Sequence, residues 1–179
     1  MSEWGMGMQG WHFSTARLRI RPLLPGDAAD WHDVRAAAPF DPLTRTPAQT
    51  RELAEVMQRR PAIDADGWQQ FAITDPLGQF LGDIGVRFSA PRLAQAEIGF
   101  AVRPDIQGRG IASEAVAAMV AQLFAQGRRR VAAVTDVRNR AAQRVLERCW
   151  FRLEGRFVES WRDGDLWFDE LAYARLAGD

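Results

Sequence analysis

The chain contains no lysine; all 23 of its basic residues are arginine. That excludes a lysine Schiff base, a lysine general base and the lysine-dependent phosphate loop of nucleotide triphosphatases. A single cysteine, Cys149, excludes an internal disulfide and any multi-cysteine metal centre, and fits a reducing compartment. His12 and His32 lack ligand spacing, so no metal is expected. No apolar run approaches the length of a membrane span. The opening "MSEWGMGMQGW" lacks the basic start and apolar stretch of a secretory signal. The 23 acidic residues cancel the arginines, so no overall field draws the chain to nucleic acid or to a membrane surface. Together these absences point to the cytoplasm.

What is present reads as one globular domain of 179 residues, 47% hydrophobic and 26% charged. Residues 1–14 are expected to form a flexible arm, and residues 15–179 the domain. "ARLRIRPL" alternates as a half-buried strand, and Asp27 reads as the N-cap of a helix running to about Arg35. "TPAQTRELAEVMQRR" reads as a second helix with Leu53, Val56 and Met57 on one face. Two strands joined at Asp75-Pro76-Leu77-Gly78 must be antiparallel because the link is so short. "AEIGFAV" is a third, with Gly99 marking a bulge or a close approach of backbone.

Then comes "PDIQGRGIASEAV", where two glycines bracket Arg109 just before a helix. That helix has an apolar stripe of Val116, Met119, Val120, Leu123 and Phe124, and Gly127 ends it. "RRVAAVTDV" is a strand, Asn139 caps a further helix, and two strands joined through Arg162-Asp163-Gly164-Asp165 close the chain. The fold class is therefore α/β: a mixed, mostly antiparallel central sheet flanked by helices.

Bare glycine backbone at a helix start suits an anion, because the first amides are unpaired and the helix dipole is positive there. A dinucleotide site competes for this stretch. Gly108-x-Gly110-x-x-Ser113 approaches that fingerprint, and Asp136 ends the following strand. Four residues, Pro104 to Gln107, separate strand from glycines where a dinucleotide turn would be immediate.

Gln107-x-x-Gly110-x-Ala112 after "FAVRP" resembles the pyrophosphate loop of the GNAT superfamily of acyl-CoA N-acyltransferases. "NRAAQRVLERCWFRLEGRF" resembles that superfamily's later motif. The opening, middle and closing segments are similar to the ribosomal-protein N-terminal acetyltransferase branch. The resemblance implies a GNAT fold with a bulged, splayed strand pair and a single N-acetyltransferase domain. It implies acetyl-CoA as co-substrate, bound by Phe100, Ala101 and Val102 along the strand, by Gln107, Gly108, Arg109, Gly110, Ile111, Ala112 and Ser113 in the loop, and by Asn139. It implies backbone donors around Phe100 to Val102 for the acetyl carbonyl and Glu97 as general base.

The partners implied are acetyl-CoA and a primary amine, a peptide or protein N-terminus ahead of a small molecule, with a homodimer left open. Where relatives carry a tyrosine and a serine as proton donors, this chain has Leu146 and Ala142. That departure leaves a second reading, a non-catalytic acyl-CoA-binding module or sensor. Trp150 also stands where relatives have glycine before the phenylalanine.

Overall fold

The computed structural model describes residues 11–40, 45–58, 67–88 and 94–179. Eight strands form one sheet: β1 (Phe13–Ser14), β2 (Arg19–Pro22), β3 (Trp68–Thr74), β4 (Phe80–Phe88), β5 (Gln95–Val102), β6 (Arg130–Asp136), β7 (Arg152–Asp163) and β8 (Leu166–Leu176). Four α-helices flank it: α1 (Ala28–Ala36), α2 (Pro47–Gln58), α3 (Ile111–Ala125) and α4 (Arg140–Arg148). The strand order is β1-β2-β3-β4-β5-β6-β8-β7. Every neighbouring pair is antiparallel except β5 and β6. The mixed α/β sheet expected from the sequence is present.

Period-two alternation gives the sheet two apolar faces. One packs against α3 and α4, where Val116, Met119, Val120, Leu123 and Leu146 meet Phe71, Ile84, Ile98 and Val131. The other packs against α1 and α2, where Trp31, Val34, Ala54 and Met57 meet Ala72 and Phe80. Because Phe71 and Ala72 are adjacent in β3, they fall on opposite faces and serve opposite cores.

Four expectations need correcting. The arm is shorter than residues 1–14: Trp11 is buried against Phe71 and Phe88, and Phe13–Ser14 pairs with β2. Residues 1–10 lie outside the described residues, as do Arg59 and Arg60 at the end of the second helical pattern. Asp27 does not use its side chain to cap α1; its carboxylate accepts from Leu24 N–H (2.8 Å) and binds Arg21 through both oxygens. On α2 the buried face is Thr50, Ala54 and Met57, while Val56 is exposed. A buried threonine is tolerated because its hydroxyl donates to Thr46 O and meets His32 Nδ1, both at 3.1 Å. Finally, Gly99 is not a bulge. The β4–β5 register runs unbroken from Gly82↔Val102 to Phe88↔Ala96, and Gly99 instead lies beneath the Trp68 ring.

Candidate active site

Pairing between β5 and β6 covers only Gln95–Glu97 against Arg130–Ala132. Beyond Glu97 the two strands part: β6 stays paired with β8, and β5 stays paired with β4. The Arg103 N–H donates to Leu81 O at 2.9 Å, toward β4. By the two-residue alternation, Gly99 and Ala101 point the same way, so the amides and carbonyls of Phe100 and Val102 point into the opening. The Gln107 side-chain amide reaches the Val102 carbonyl there at 3.3 Å.

At the end of β5 a short 3-10 turn, Pro104–Ile106, leads to Gly108 and Gly110, with φ of 77° and 79°. Both lie in the left-handed region that a Cβ disfavours, which is why this loop needs glycine. The turn absorbs the amides of Ile106 and Gln107, and Glu114 N–H returns to Gly110 O. The amides of Gly108 through Ser113 are left without a backbone acceptor. Successive unpaired amides at a helix start form a concavity for an anion.

The carboxylate of Glu114, in the first turn of α3, would oppose an anion at that place. It is instead held by Thr15 Oγ1 and by Arg17, whose Nη2 lies 2.6 Å away. Burial pushes its pKa upward, but those hydrogen bonds prevail and hold it below the ordinary glutamate value. Arg17 also donates to the Arg109 carbonyl at 3.2 Å, tying the loop to the start of the chain.

A cleft of about 430 Å³ runs from this loop through the parted strands to the C-terminal end of α1. Phe100, Ala101, Val102, Gln107, Gly108, Gly110, Ile111, Ala112, Ser113 and Asn139 all line it. Arg109 is not among the lining residues; its guanidinium turns back to the Asp105 carbonyl at 3.3 Å. Glu97 is also outside the lining, at the paired end of β5, where it forms an ion pair with Arg87. Asn139 Oδ1 accepts from Ala142 N–H at 3.0 Å, so this side chain both opens α4 and borders the cleft.

Two walls were not anticipated. Val34, Ala37, Ala38, Pro39 and Phe40 close the α1 end. Along α4, Arg140, Arg144 and Arg148 line the opposite side together with Arg138. The spacing of four residues that sets these arginines on one helix face was visible in "NRAAQRVLER". Among the described residues, Arg144 and Arg148 have no carboxylate partner and no carboxylate lines the cleft.

Other residues with titratable or aromatic side chains fall elsewhere. Tyr173 is buried in the core with its hydroxyl toward Glu147 (3.5 Å), and burial raises its pKa. The Cys149 thiol donates to Ser113 O at 3.3 Å, and burial raises its pKa too. Trp31 is a core residue, while Trp161 and Trp167 are exposed on the β7–β8 hairpin. Asp136 does not face the cleft as a ribose ligand would; its oxygens accept from the backbone N–H (2.7 Å) and guanidinium (2.6 Å) of Arg138. Trp150 takes the vacant glycine's place literally. It adopts φ 64° and closes α4, with Trp150 N–H to Glu147 O and Phe151 N–H to Leu146 O, both 3.0 Å. That is the Schellman pattern, and α3 ends the same way at Gly127.

A sheet that opens between its one parallel pair, beside a helix start made of bare amides, places the protein among the acyl-CoA N-acyltransferase folds. Residues 17–152 match the family model for the acetyltransferase (GNAT) domain, and the chain belongs to the GNAT acetyltransferase family. It is 35% identical over 81 residues to the uncharacterized N-acetyltransferase YnaD of Bacillus subtilis (strain 168), a match spanning 45% of this chain and 48% of that protein.

Solved structures show the same fold. A GNAT-family acetyltransferase from Bacillus anthracis superposes with a TM-score of 0.79 at 23% identity, covering 94% of this chain and 99% of that one. A chimera of the spermidine N-acetyltransferase SpeG from Vibrio cholerae with hSSAT gives 0.81 at 19% identity, covering 91% and 97%. A ribosomal-protein-S5-alanine acetyltransferase from Vibrio fischeri gives 0.76 at 20% identity, covering 94% and 97%.

Proposed function

We propose that the protein transfers an acetyl group from acetyl-CoA directly to a primary amine, with a peptide or protein N-terminus as the favoured acceptor. The observation that carries this reading is the unpaired amide run from Gly108 to Ser113, beside the open edge of β5 at Phe100 and Val102. The first is built for a diphosphate and the second for an acyl carbonyl. Arg140, Arg144 and Arg148 add positive charge along the same cleft. The residues present thus fit the co-substrate along its length.

In this mechanism Phe100 and Val102 N–H groups stabilise the oxygen that gains charge as the amine attacks. The C–N bond forms, the C–S bond breaks, and the amine's proton passes to solvent water, since Glu97, the base the resemblance implies, stands outside the cleft in an ion pair with Arg87. The departing thiolate takes its proton from solvent, since Ala142 and Leu146 have no proton to give. The modest base demand suits a peptide α-amine, whose pKa of ~7.7–8.0 leaves much of it neutral, better than a lysine amine at ~10.4.

Charge also favours a peptide over a polyamine. On the α1-side face of the sheet, Asp83 is bound by Arg35 and Glu97 by Arg87. The cleft wall is cationic, so the described residues offer no counter-charge for extra ammonium groups. Thiol release from acetyl-CoA, followed across a panel of short peptides and spermidine with mass spectrometry of the product, tests the reading. Peptides are expected to be acetylated faster; faster spermidine acetylation would overturn the acceptor assignment. The Ala142 and Leu146 positions favour one other reading, an acyl-CoA-binding module, which predicts tight CoA binding without thiol release.

A further inference from the structure

The loop that receives the diphosphate in this reading is touched from outside the cleft by a side chain the mechanism above does not use. Arg17 stands in the turn between β1 and β2, just before the buried Leu18. Two hydrogen bonds close that turn, Thr15 N–H to Leu18 O (2.9 Å) and Leu18 N–H to Thr15 Oγ1 (3.0 Å). From it the Arg17 guanidinium reaches both the loop and α3. Nη1 donates to the Arg109 carbonyl at 3.2 Å, and Nε donates to the Glu114 carboxylate at 2.7 Å. Nη2 lies 3.5 Å from where a Gly110 Cβ would stand, so the guanidinium rests against glycine backbone.

The contact with Arg109 bears on which way the loop's amides face. In a trans peptide the C=O and the following N–H point in opposite directions. Gly110 lines the cleft and Arg17 does not, so the Arg109 carbonyl is held on the outer side and the Gly110 N–H is turned inward. Glycines on both sides of Arg109 leave the chain itself little say in this orientation. Gly110, with φ 79° and ψ 3°, has the dihedrals of the third residue of a type II turn. Turning over the peptide that precedes it gives type I, and would present a carbonyl oxygen to an anion in place of the N–H.

The contact with Glu114 bears on charge. A carboxylate in the first turn of α3 subtracts from the attraction of that helix start for an anion. Although burial opposes it, hydrogen bonds from Thr15 and Arg17 hold this carboxyl below the ordinary glutamate value, so its charge is matched by Arg17 rather than shed. We infer that Arg17 is a positioning residue of the cofactor site: it fixes which side of the 109–110 peptide faces the diphosphate, and it cancels the Glu114 charge beside it. The β1–β2 turn is then a third element of that site, after the loop and the open edge of β5. This deepens the proposed function and rests on acetyl-CoA as the co-substrate.

The test is calorimetric titration of CoA at low salt into the wild type, Arg17→Met, Glu114→Gln and the double variant, with Tm measured on each. Arg17→Met is expected to bind CoA about tenfold more weakly, the scale of one hydrogen bond and one charge at a helix start. Glu114→Gln should bind as tightly as the wild type or more tightly. The double variant should bind about threefold more tightly than Arg17→Met, since the unmatched charge is gone and only the hold on the carbonyl is missing. Both single variants break the same half-exposed ion pair, so Tm should fall by a similar small amount in each. An ion pair that merely supports the fold would instead lose CoA affinity alike from either side. Equal losses in the two single variants, wild-type affinity in Arg17→Met, or a double variant no better than Arg17→Met would each overturn the inference. Should Arg17→Met fail to fold, the Glu114→Gln titration decides by itself: weaker binding overturns the inference, and equal or tighter binding supports it. A wild type that does not bind CoA would overturn the underlying reading instead.

Discussion

Replacing Trp150 with glycine should make the protein more stable, although it removes the largest type of side chain. Trp150 follows the C-cap of α4 with φ 64°, and the residue is 76% exposed. A Cβ in the left-handed region costs roughly 1–2 kcal/mol, which Trp150→Gly relieves. Glycine adds unfolded-state freedom worth about 0.5–1 kcal/mol against the folded state. So exposed a ring contributes little packing, and the net gain is about 0.5–1 kcal/mol. At about 2–4 °C per kcal/mol for a chain of this size, Tm should rise by about 1–4 °C.

Trp150→Ala is the control, since it deletes the ring but keeps the Cβ; it should show no rise. Gly127→Ala is the mirror experiment at the end of α3, where φ is 80° in the same motif, and it should lose stability. Scanning calorimetry of the three variants reads all of this. A Tm for Trp150→Gly at or below that of Trp150→Ala would refute the strain argument and show that the exposed indole itself supports the fold.

Asp83 is fully buried and held by Arg35 at 2.6 Å. Asp83→Ala should cost about 3–5 kcal/mol in denaturant unfolding, because it strands a guanidinium in the core, and the Arg35→Met, Asp83→Leu pair should recover most of that. Arg144→Ala with Arg148→Ala should weaken CoA binding about tenfold by calorimetry at low salt, and the deficit should shrink as salt screens the wild-type attraction. Arg138 hydrogen bonds hold Asp136 below the ordinary aspartate value of 3.8. The sign follows from that depression: the stabilisation is complete above the unfolded-state pKa and is lost as pH falls through the folded one. Unfolding free energy should therefore drop below about pH 4, and Asp136→Asn should flatten part of that drop while lowering stability at neutral pH.

How far each feature was legible depends on the range of the interaction behind it. The loop, its glycines and the Asn139 cap are local: each follows from backbone demands within a few residues, and the sequence shows them directly. The α4 arginines were legible too, as a four-residue repeat, but carried no sign of which side of the helix would meet the cleft.

Arg17 and Glu114 are 97 positions apart, Arg35 and Asp83 are 48 apart, and no pattern in either segment announces the partner. Gln70 is the hardest case. In sequence it is one polar residue of a strand, and only the register setting it beside Gly85 shows why its side-chain amide can lie over bare backbone. Gly99 did announce itself as a break in the pattern, and the expected bulge was one of two physical answers to it. The other was a close approach of backbone; what lies over Gly99 is instead the Trp68 side chain, and a single strand cannot show that because this neighbour comes from β3. Glycines in sheet interiors mark missing volume. What fills that volume is decided across the strands, which is why the face of the sheet turned toward α1 and α2 is the part least visible in the chain's linear order.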